Sequence, residues 1–331
     1  MFNNIRVTLT YNASFPSHAK LLKTVELFAP NLPTPVQHLQ SEILHNAGVQ
    51  VFVKRDDLIH PFVSGNKWRK LKYNLLDAQT QSYKTILTFG GAYSNHLYAT
   101  AAAGAALELE VIGVIRGEVE ATHLSATLQF CQTKGMQFHF VTRETYKRRN
   151  DDDYLQELKN SYPQAYFIPE GGSSTLALNG VAELVPETEL QLGFKPDYYA
   201  VAAGTGGTAA GILSADRPVL AFSALKGGEF LKKDIGLLLP TDASSSRLQL
   251  FTDYHFGGYA KHQPDLLAFI QSFKKEQGIQ LEQVYTGKLF YGLFDLIQKG
   301  YFKAGTNIVA VHTGGLQGCL PALLGRDGMW K

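Results

Sequence analysis

The chain has 331 residues, of which 45% are apolar, 11% aromatic and 18% charged, a profile that buries a core and excludes an intrinsically disordered chain. At about 150 residues per domain the length predicts roughly two domains. A formal net charge of only +2 argues against a dedicated nucleic-acid binder, which carries a concentrated basic face.

The first residues, Met1-Phe2-Asn3-Asn4-Ile5-Arg6, lack the apolar stretch of a secretory signal. No apolar run reaches the ~18 residues of a membrane span. Cys131 and Cys319 are the only cysteines, which excludes a disulfide framework or a zinc knuckle. A cytoplasmic protein is expected, in which the Asn12-Ala13-Ser14 sequon is a chance match. Trp68, Leu71, Leu75 and Ala78 recur at helical spacing and place Lys67 in the first turn of a helix. Thr85-Ile86-Leu87-Thr88-Phe89 reads as a buried strand closed by Gly90-Gly91, with an alanine-rich helix over 95–108 behind it. Further strands are expected at 111–116, 137–141, 165–168, 199–203, 219–223 and 307–311, with a helix over 122–134. The charged stretch 144–153 reads as a surface loop or linker. Continuous apolar strands alternating with helices predict an α/β fold with parallel sheets covered on both faces. One sheet domain is expected at 81–175, and a second, larger one from 1–80 with 176–331.

In such sheets the loops at the carboxyl ends of the strands gather ligands. Gly204-Thr205-Gly206-Gly207-Thr208 follows a strand and opens a helix, so its backbone N–H groups can converge on a phosphate. Its spacing fits neither a dinucleotide fingerprint nor a Walker loop. Gly90 to His96 is a second strand-to-helix junction. Ser94 and Asn95 suit a helix cap and equally suit a bound carboxylate. Lys67 at a helix start opposes the helix dipole, so a depressed pKa or an anionic partner is expected. A neutral lysine is a nucleophile able to form a Schiff base. Tyr285 and the turn His312-Thr313-Gly314-Gly315 complete the candidate loops. A metal enzyme is not expected: His255 and His262 are too far apart for a one-turn pair.

Together these loops resemble the pyridoxal-phosphate enzymes of the tryptophan-synthase-β-like fold (fold type II). Within that group the chain resembles the 1-aminocyclopropane-1-carboxylate deaminase/D-cysteine desulfhydrase family. The resemblance runs from Leu32-Pro33-Thr34-Pro35-Val36 and Val53-Lys54-Arg55-Asp56-Asp57 through Gly65-Asn66-Lys67-Trp68-Arg69-Lys70-Leu71 to Tyr285-Thr286-Gly287-Lys288 and His312-Thr313-Gly314-Gly315. It implies two open, mostly parallel twisted sheets with helices on both faces and the cofactor in the cleft between them. It implies pyridoxal 5'-phosphate on Lys67, with Asn66 and Lys70 beside it and the phosphate on Gly204, Thr205, Gly206, Gly207 and Thr208. Asn95 would meet the phenolic oxygen, and Thr286 and Thr313 the pyridine nitrogen. Ser94, Tyr285 and Tyr259 would join Lys67 in catalysis, with Tyr93, Ser94, Asn95 and His96 around the substrate.

The partner implied is a small amino acid, with neither nucleic acid nor membrane, and the assembly a homodimer. The family's deaminase branch carries glutamate after the tyrosine; here that position is Thr286. The expected activity is therefore D-cysteine desulfhydrase-like β-elimination giving pyruvate, ammonia and sulfide. The alternatives are 1-aminocyclopropane-1-carboxylate deamination and a non-catalytic ligand-binding relative. Tyr93, Tyr98-Ala99 and Ser64 depart from the family's usual Gln, Arg-Gln and Gly.

Overall fold

A computed structural model describes residues 31–117, 124–240 and 243–324. The chain opens with β1 (Val36–His38), α1 (Glu42–Ala47), β2 (Gln50–Lys54) and the long α2 (Asn66–Thr80). It then builds β3 (Thr85–Gly91), α3 (Asn95–Leu107), β4 (Glu110–Arg116), α4 (Ala126–Thr133), β5 (Gln137–Val141), α5 (Arg143–Lys147), α6 (Asp152–Ser161) and β6 (Ala165–Ile168). It continues with α7 (Thr175–Ala182), α8 (Leu184–Leu192), β7 (Tyr198–Ala203), α9 (Gly207–Ser214), β8 (Val219–Ser223) and α10 (Leu231–Leu238). Last come β9 (Leu248–Phe251), α11 (Pro264–Gln277), α12 (Thr286–Gln298), β10 (Asn307–Val311) and α13 (Pro321–Leu324).

Two sheets result. The larger has the order β1-β2-β10-β7-β8-β9, parallel except for the antiparallel edge strand β1. The smaller has the order β5-β4-β3-β6 and is parallel throughout. Alternate residues of one strand feed opposite faces, as a two-residue period requires. Ala200 and Ala202 join the core that α11 and α12 cover, while Tyr199, Val201 and Ala203 join the one under α7 and α9. Burial on both faces is what makes these strands continuously apolar.

Several expectations are corrected. Residues 144–153 are not a loop: Thr142 Oγ1 caps α5 by accepting from Thr145 N, and Tyr146, Tyr154 and Leu158 bury one face of α5 and α6. β3 runs on through Gly90-Gly91, because its pairing with β4 extends to Gly91 opposite Arg116. The helix expected over 122–134 starts at Ala126, capped by Ser125, and residues 118–123 lie outside the described residues. So does the Asn12 sequon. β1, β2 and β9 had no strand signal strong enough to be predicted. Among the described residues no helix is long and apolar enough to cross a membrane.

α2 is pinned from behind. Arg69, buried, donates to both carboxylate oxygens of Asp56 at 2.6 and 2.8 Å and reaches Glu187 on α8 at 3.2 Å. Lys54 of β2 meets the same Glu187 at 2.6 Å. On another side α2 packs against α7 at Gly180, where an added β-carbon would run into the Arg69 carbonyl. Gly→Ala inside a helix normally stabilises. Here Gly180→Ala is expected to lower stability by about 1–3 kcal/mol through overpacking, read as a lower urea midpoint at unchanged slope.

Candidate active site

The carboxyl ends of β3, β4, β6, β7 and β10 face one another across a cavity of about 600 Å³. This is the place where open parallel sheets bind ligands. Lys67 reaches it from the first turn of α2. Gly65, at φ +63°, caps that helix so tightly against Thr313 and Gly314 that no β-carbon fits. Lys67 Nζ donates to Gly171 O at 3.1 Å. Burial pulls its pKa down to about 8, with the Glu170 carboxylate opposing. The expected depression is present, with desolvation by burial as its largest cause.

One turn on, Lys70 Nζ donates to Ser173 Oγ at 3.1 Å and Gly171 O at 3.4 Å. Burial and then the charge of Lys67 hold it well below an ordinary lysine. Asn66 Nδ2 donates to Thr208 Oγ1 at 2.8 Å, which ties the start of α2 to the start of α9. Gly206, at φ +75°, turns the chain into α9. A β-carbon on Gly207 would lie 2.5 Å from Ser173 Oγ and 2.8 Å from Lys70 Nζ. A helix N-terminus, a buried ammonium and the hydroxyls of Ser173 and Thr205, 2.7 Å apart, thus converge on one point. That donor set suits a phosphate.

On the facing wall Ser94 caps α3, its Oγ accepting from Leu97 N at 3.3 Å. Asn95 lines the cavity, its Oδ1 accepting from Gln317 Nε2 at 2.8 Å. His96 is buried behind it. The Thr88 hydroxyl donates to Ile168 O, so it accepts from His96 Nε2, both at 2.7 Å. Nδ1 has no partner among the described groups. Burial, then Lys67 and Lys70, keep the ring neutral.

Tyr259 and Tyr285 close a third side, their rings edge-on with centroids 6.1 Å apart. Burial is the largest cause raising both phenols. The Tyr285 ring packs against Gly204, where a β-carbon would lie 3.0 Å from Cε1. Thr313 lines the end of the cavity after β10. His312 shapes that turn by accepting from Gly314 N on Nδ1 and donating from Nε2 to Gln280 O.

Two expected site residues stand elsewhere. Thr286 is fully buried and does not line the cavity; its hydroxyl donates to Glu282 Oε1 at 3.1 Å and accepts from Glu282 N at 3.0 Å. Glu282 in turn accepts from the backbone of Val284, Tyr285 and Thr286 at the start of α12. Tyr93 does not line the cavity either: its side chain is 69% exposed, one residue before the Ser94 cap turns the chain inward. Tyr98 stacks on Phe130 at 3.8 Å, a packing contact outside the cavity lining.

The sequence reading missed Pro169-Glu170-Gly171-Gly172-Ser173. This run follows a strand, the same signal that marked the other loops. It supplies the carbonyl under Lys67, the Ser173 hydroxyl, and Glu170, which is held by Tyr146 Oη and Arg149. Arg116 was missed as well and lines the cavity at the end of β4. Among the described residues no group of three or more His, Cys, Asp or Glu could hold a metal.

Residues 28–314 match the family model described as "Pyridoxal-phosphate dependent enzyme". The chain belongs to this family. It is 32% identical over 328 residues, 92% of this chain and 82% of the relative, to the bifunctional D-cysteine desulfhydrase/1-aminocyclopropane-1-carboxylate deaminase of Arabidopsis thaliana mitochondria. It is 30% identical over 302 residues, 86% of this chain and 92% of the relative, to a D-cysteine desulfhydrase of Klebsiella pneumoniae subsp. pneumoniae. The solved structure of an ACC deaminase homologue superposes with a TM-score of 0.74 at 32% identity, covering 89% of this chain and 95% of that one. The α/β fold with two mostly parallel sheets is that of fold type II.

Pyridoxal phosphate is therefore the cofactor of this pyridoxal-phosphate dependent enzyme, and the residues fit it. Gly207 leaves a cradle that any side chain would fill, with the Lys70 amine against it, and Lys67 lines the same cavity from α2. Gly207→Val is expected to weaken pyridoxal phosphate about tenfold or more in a binding titration, since it removes close backbone approach. At saturating cofactor the rate should change less. With a pKa near 8, the Lys67 amine is neutral above that pH. Below it the neutral fraction falls about tenfold per pH unit. Labelling of the cofactor-free protein by an amine reagent, followed peptide by peptide, should show Lys67 half-reactive near pH 8, well before the exposed lysines.

Proposed function

We propose that this enzyme catalyses β-elimination from a small D-amino acid with a thiol or halide on its β-carbon, D-cysteine foremost. Thr313 carries the reading. Thr313 lines the cavity end after β10, while Glu282, packed beside that turn at Gly315, already accepts from three backbone N–H groups and Thr286. The expectation from Thr286 thus moves to Thr313. A neutral partner suits a reaction in which a good leaving group drains the charge, and an anion there would instead favour a protonated ring.

The chain's residues divide the work. Ser94, Asn95 and the free N–H groups at the start of α3 take the substrate carboxylate. Lys67, easily made neutral, takes the α-proton as general base. When bound, pyridoxal phosphate supplies the sink for the electron pair left on the α-carbon. Lys70, Ser173, Asn66 and Gly204–Thr208 hold its phosphate end. The Tyr259–Tyr285 pair faces the leaving group with a hydroxyl proton, and Asn95 also orients the ring. The unit at 81–175 supplies the substrate side, and 1–80 with 176–331 the cofactor side. The proposal extends to a cytoplasmic homodimer.

The test is a panel of D- and L-amino acids scored for keto acid and ammonia. D-Cysteine and β-chloro-D-alanine are expected to exceed 1-aminocyclopropane-1-carboxylate by about 10²-fold or more in kcat/KM. Equal or faster opening of the cyclopropane would overturn the reading.

A further inference from the structure

Lys288 has no part in the chemistry above, yet it is 1% exposed in the first turn of α12, three residues after Tyr285. Its Nζ donates to Gly258 O at 2.8 Å and to Ala224 O at 3.3 Å. Both acceptors are uncharged, and among the described residues no carboxylate pairs with it. Burying an ammonium on two carbonyls is costly, and an apolar side chain would fill the same space without that cost.

What it grips is specific. Gly258 precedes Tyr259, and Ala224 precedes Leu225, which lines the cavity. Ala224 N donates to Ala203 O at 2.9 Å, so the second grip reaches the end of β7. Gly257 and Gly258 lie at φ +95° and +115°, conformations that glycine permits but does not enforce. The loop's place is therefore set by its contacts: its own turn bonds from Gly257 N to His255 Nδ1 and from Gly258 N to His255 O, the Phe256 ring on Tyr291 of α12, the packing of Gly258 on Lys226, and Lys288, which reaches the carbonyl next to Tyr259. One ammonium thus ties Tyr285's own helix to the loop that carries its partner tyrosine.

We propose that Lys288 is a positioning residue: its buried ammonium fixes the Gly257-Gly258-Tyr259 loop so that Tyr259 stays seated edge-on against Tyr285 at the cavity. This rests on the reading of the tyrosine pair as facing the reaction. Burial brings the Lys288 pKa down to about 8 against the pull of Glu282, and even the neutral amine keeps two donors for the two carbonyls.

The experiment is a double-mutant cycle with Lys288→Met and Tyr259→Phe, assayed at saturating cofactor for keto-acid release. Lys288→Met is expected to lower kcat about tenfold or more with little change in KM, and by less than about twofold when Tyr259 is already Phe. Amide hydrogen exchange across 256–260 should rise in cofactor-free Lys288→Met. If Lys288→Met does not fold, Lys288→Gln takes its place under the same criterion. An equal loss in both backgrounds, or no loss at all, overturns the proposal. A parent rate left unchanged by Tyr259→Phe overturns the reading of the tyrosine pair instead.

Discussion

The start of α2 is jammed against the turn after β10. Gly65 sits at φ +63° with the Thr313 carbonyl where a β-carbon would go, so only glycine lets the helix begin there. Because it begins there, Lys67 emerges half-buried where the carboxyl ends of both sheets meet. Because the helix turns every 3.6 residues, Lys70 comes out on the same side one turn later, beside the first residues of α9. Arg69, between them, points the other way into Asp56 and Glu187 and holds the helix in register. A shift of α2 by a fraction of a turn would separate all three.

The buried and half-buried cations fall into two groups by what they touch. Lys54 and Arg69 are matched by Glu187 and Asp56 at 2.6 Å. That pairing is what desolvated charges need if they are only to hold the fold. Lys67, Lys70 and Lys288 instead donate to carbonyl and hydroxyl oxygens. Desolvation lowers all three of their pKa values, as it does that of Lys54, but without the opposing pull of a bonded carboxylate. Glu170, engaged by Arg149 and Tyr146, acts on Lys67 only through space.

The hydroxyls show how one residue type takes opposite roles. Thr286 sits in the first turn of α12 and is consumed by Glu282, forming a reciprocal cap much like a capping box. Thr313 follows a strand end and keeps its place on the cavity. The polarity of that end of the cleft therefore depends on where the two backbones turn, not on which residue follows the tyrosine. Membership in the pyridoxal-phosphate family accounts for the lysine, the glycine loop and the two sheets alike.

Local pattern was enough for much of this. Parallel strands buried on both faces read as continuous apolar runs, so β4 to β8 and β10 were legible, as were the helices that carry Lys67 and Asn95. The glycine-rich junctions after β3 and β7 were legible for the same reason: a strand ending in glycines before a helix start is a local signal. The short edge strands β1 and β9 carry few residues of pattern and emerge only through pairing, while β2 is an interior strand that was not predicted. The helices over 143–161 were hidden by their charge, since only the buried faces of Tyr146, Tyr154 and Leu158 reveal them. The rest depends on contacts between residues far apart in the chain. Ser173 meets Lys70 across 103 positions, Asn66 meets Thr208 across 142, and Lys288 meets Gly258 across 30. The sequence by itself determined the α/β fold and brought out Lys67 and the glycine loop after β7 as candidates, because each is written in neighbouring residues. Only the tertiary structure decided which threonine faces the cleft, where Tyr93 points, and what grips the Tyr259 loop, because burial and partner choice are properties of packed surfaces.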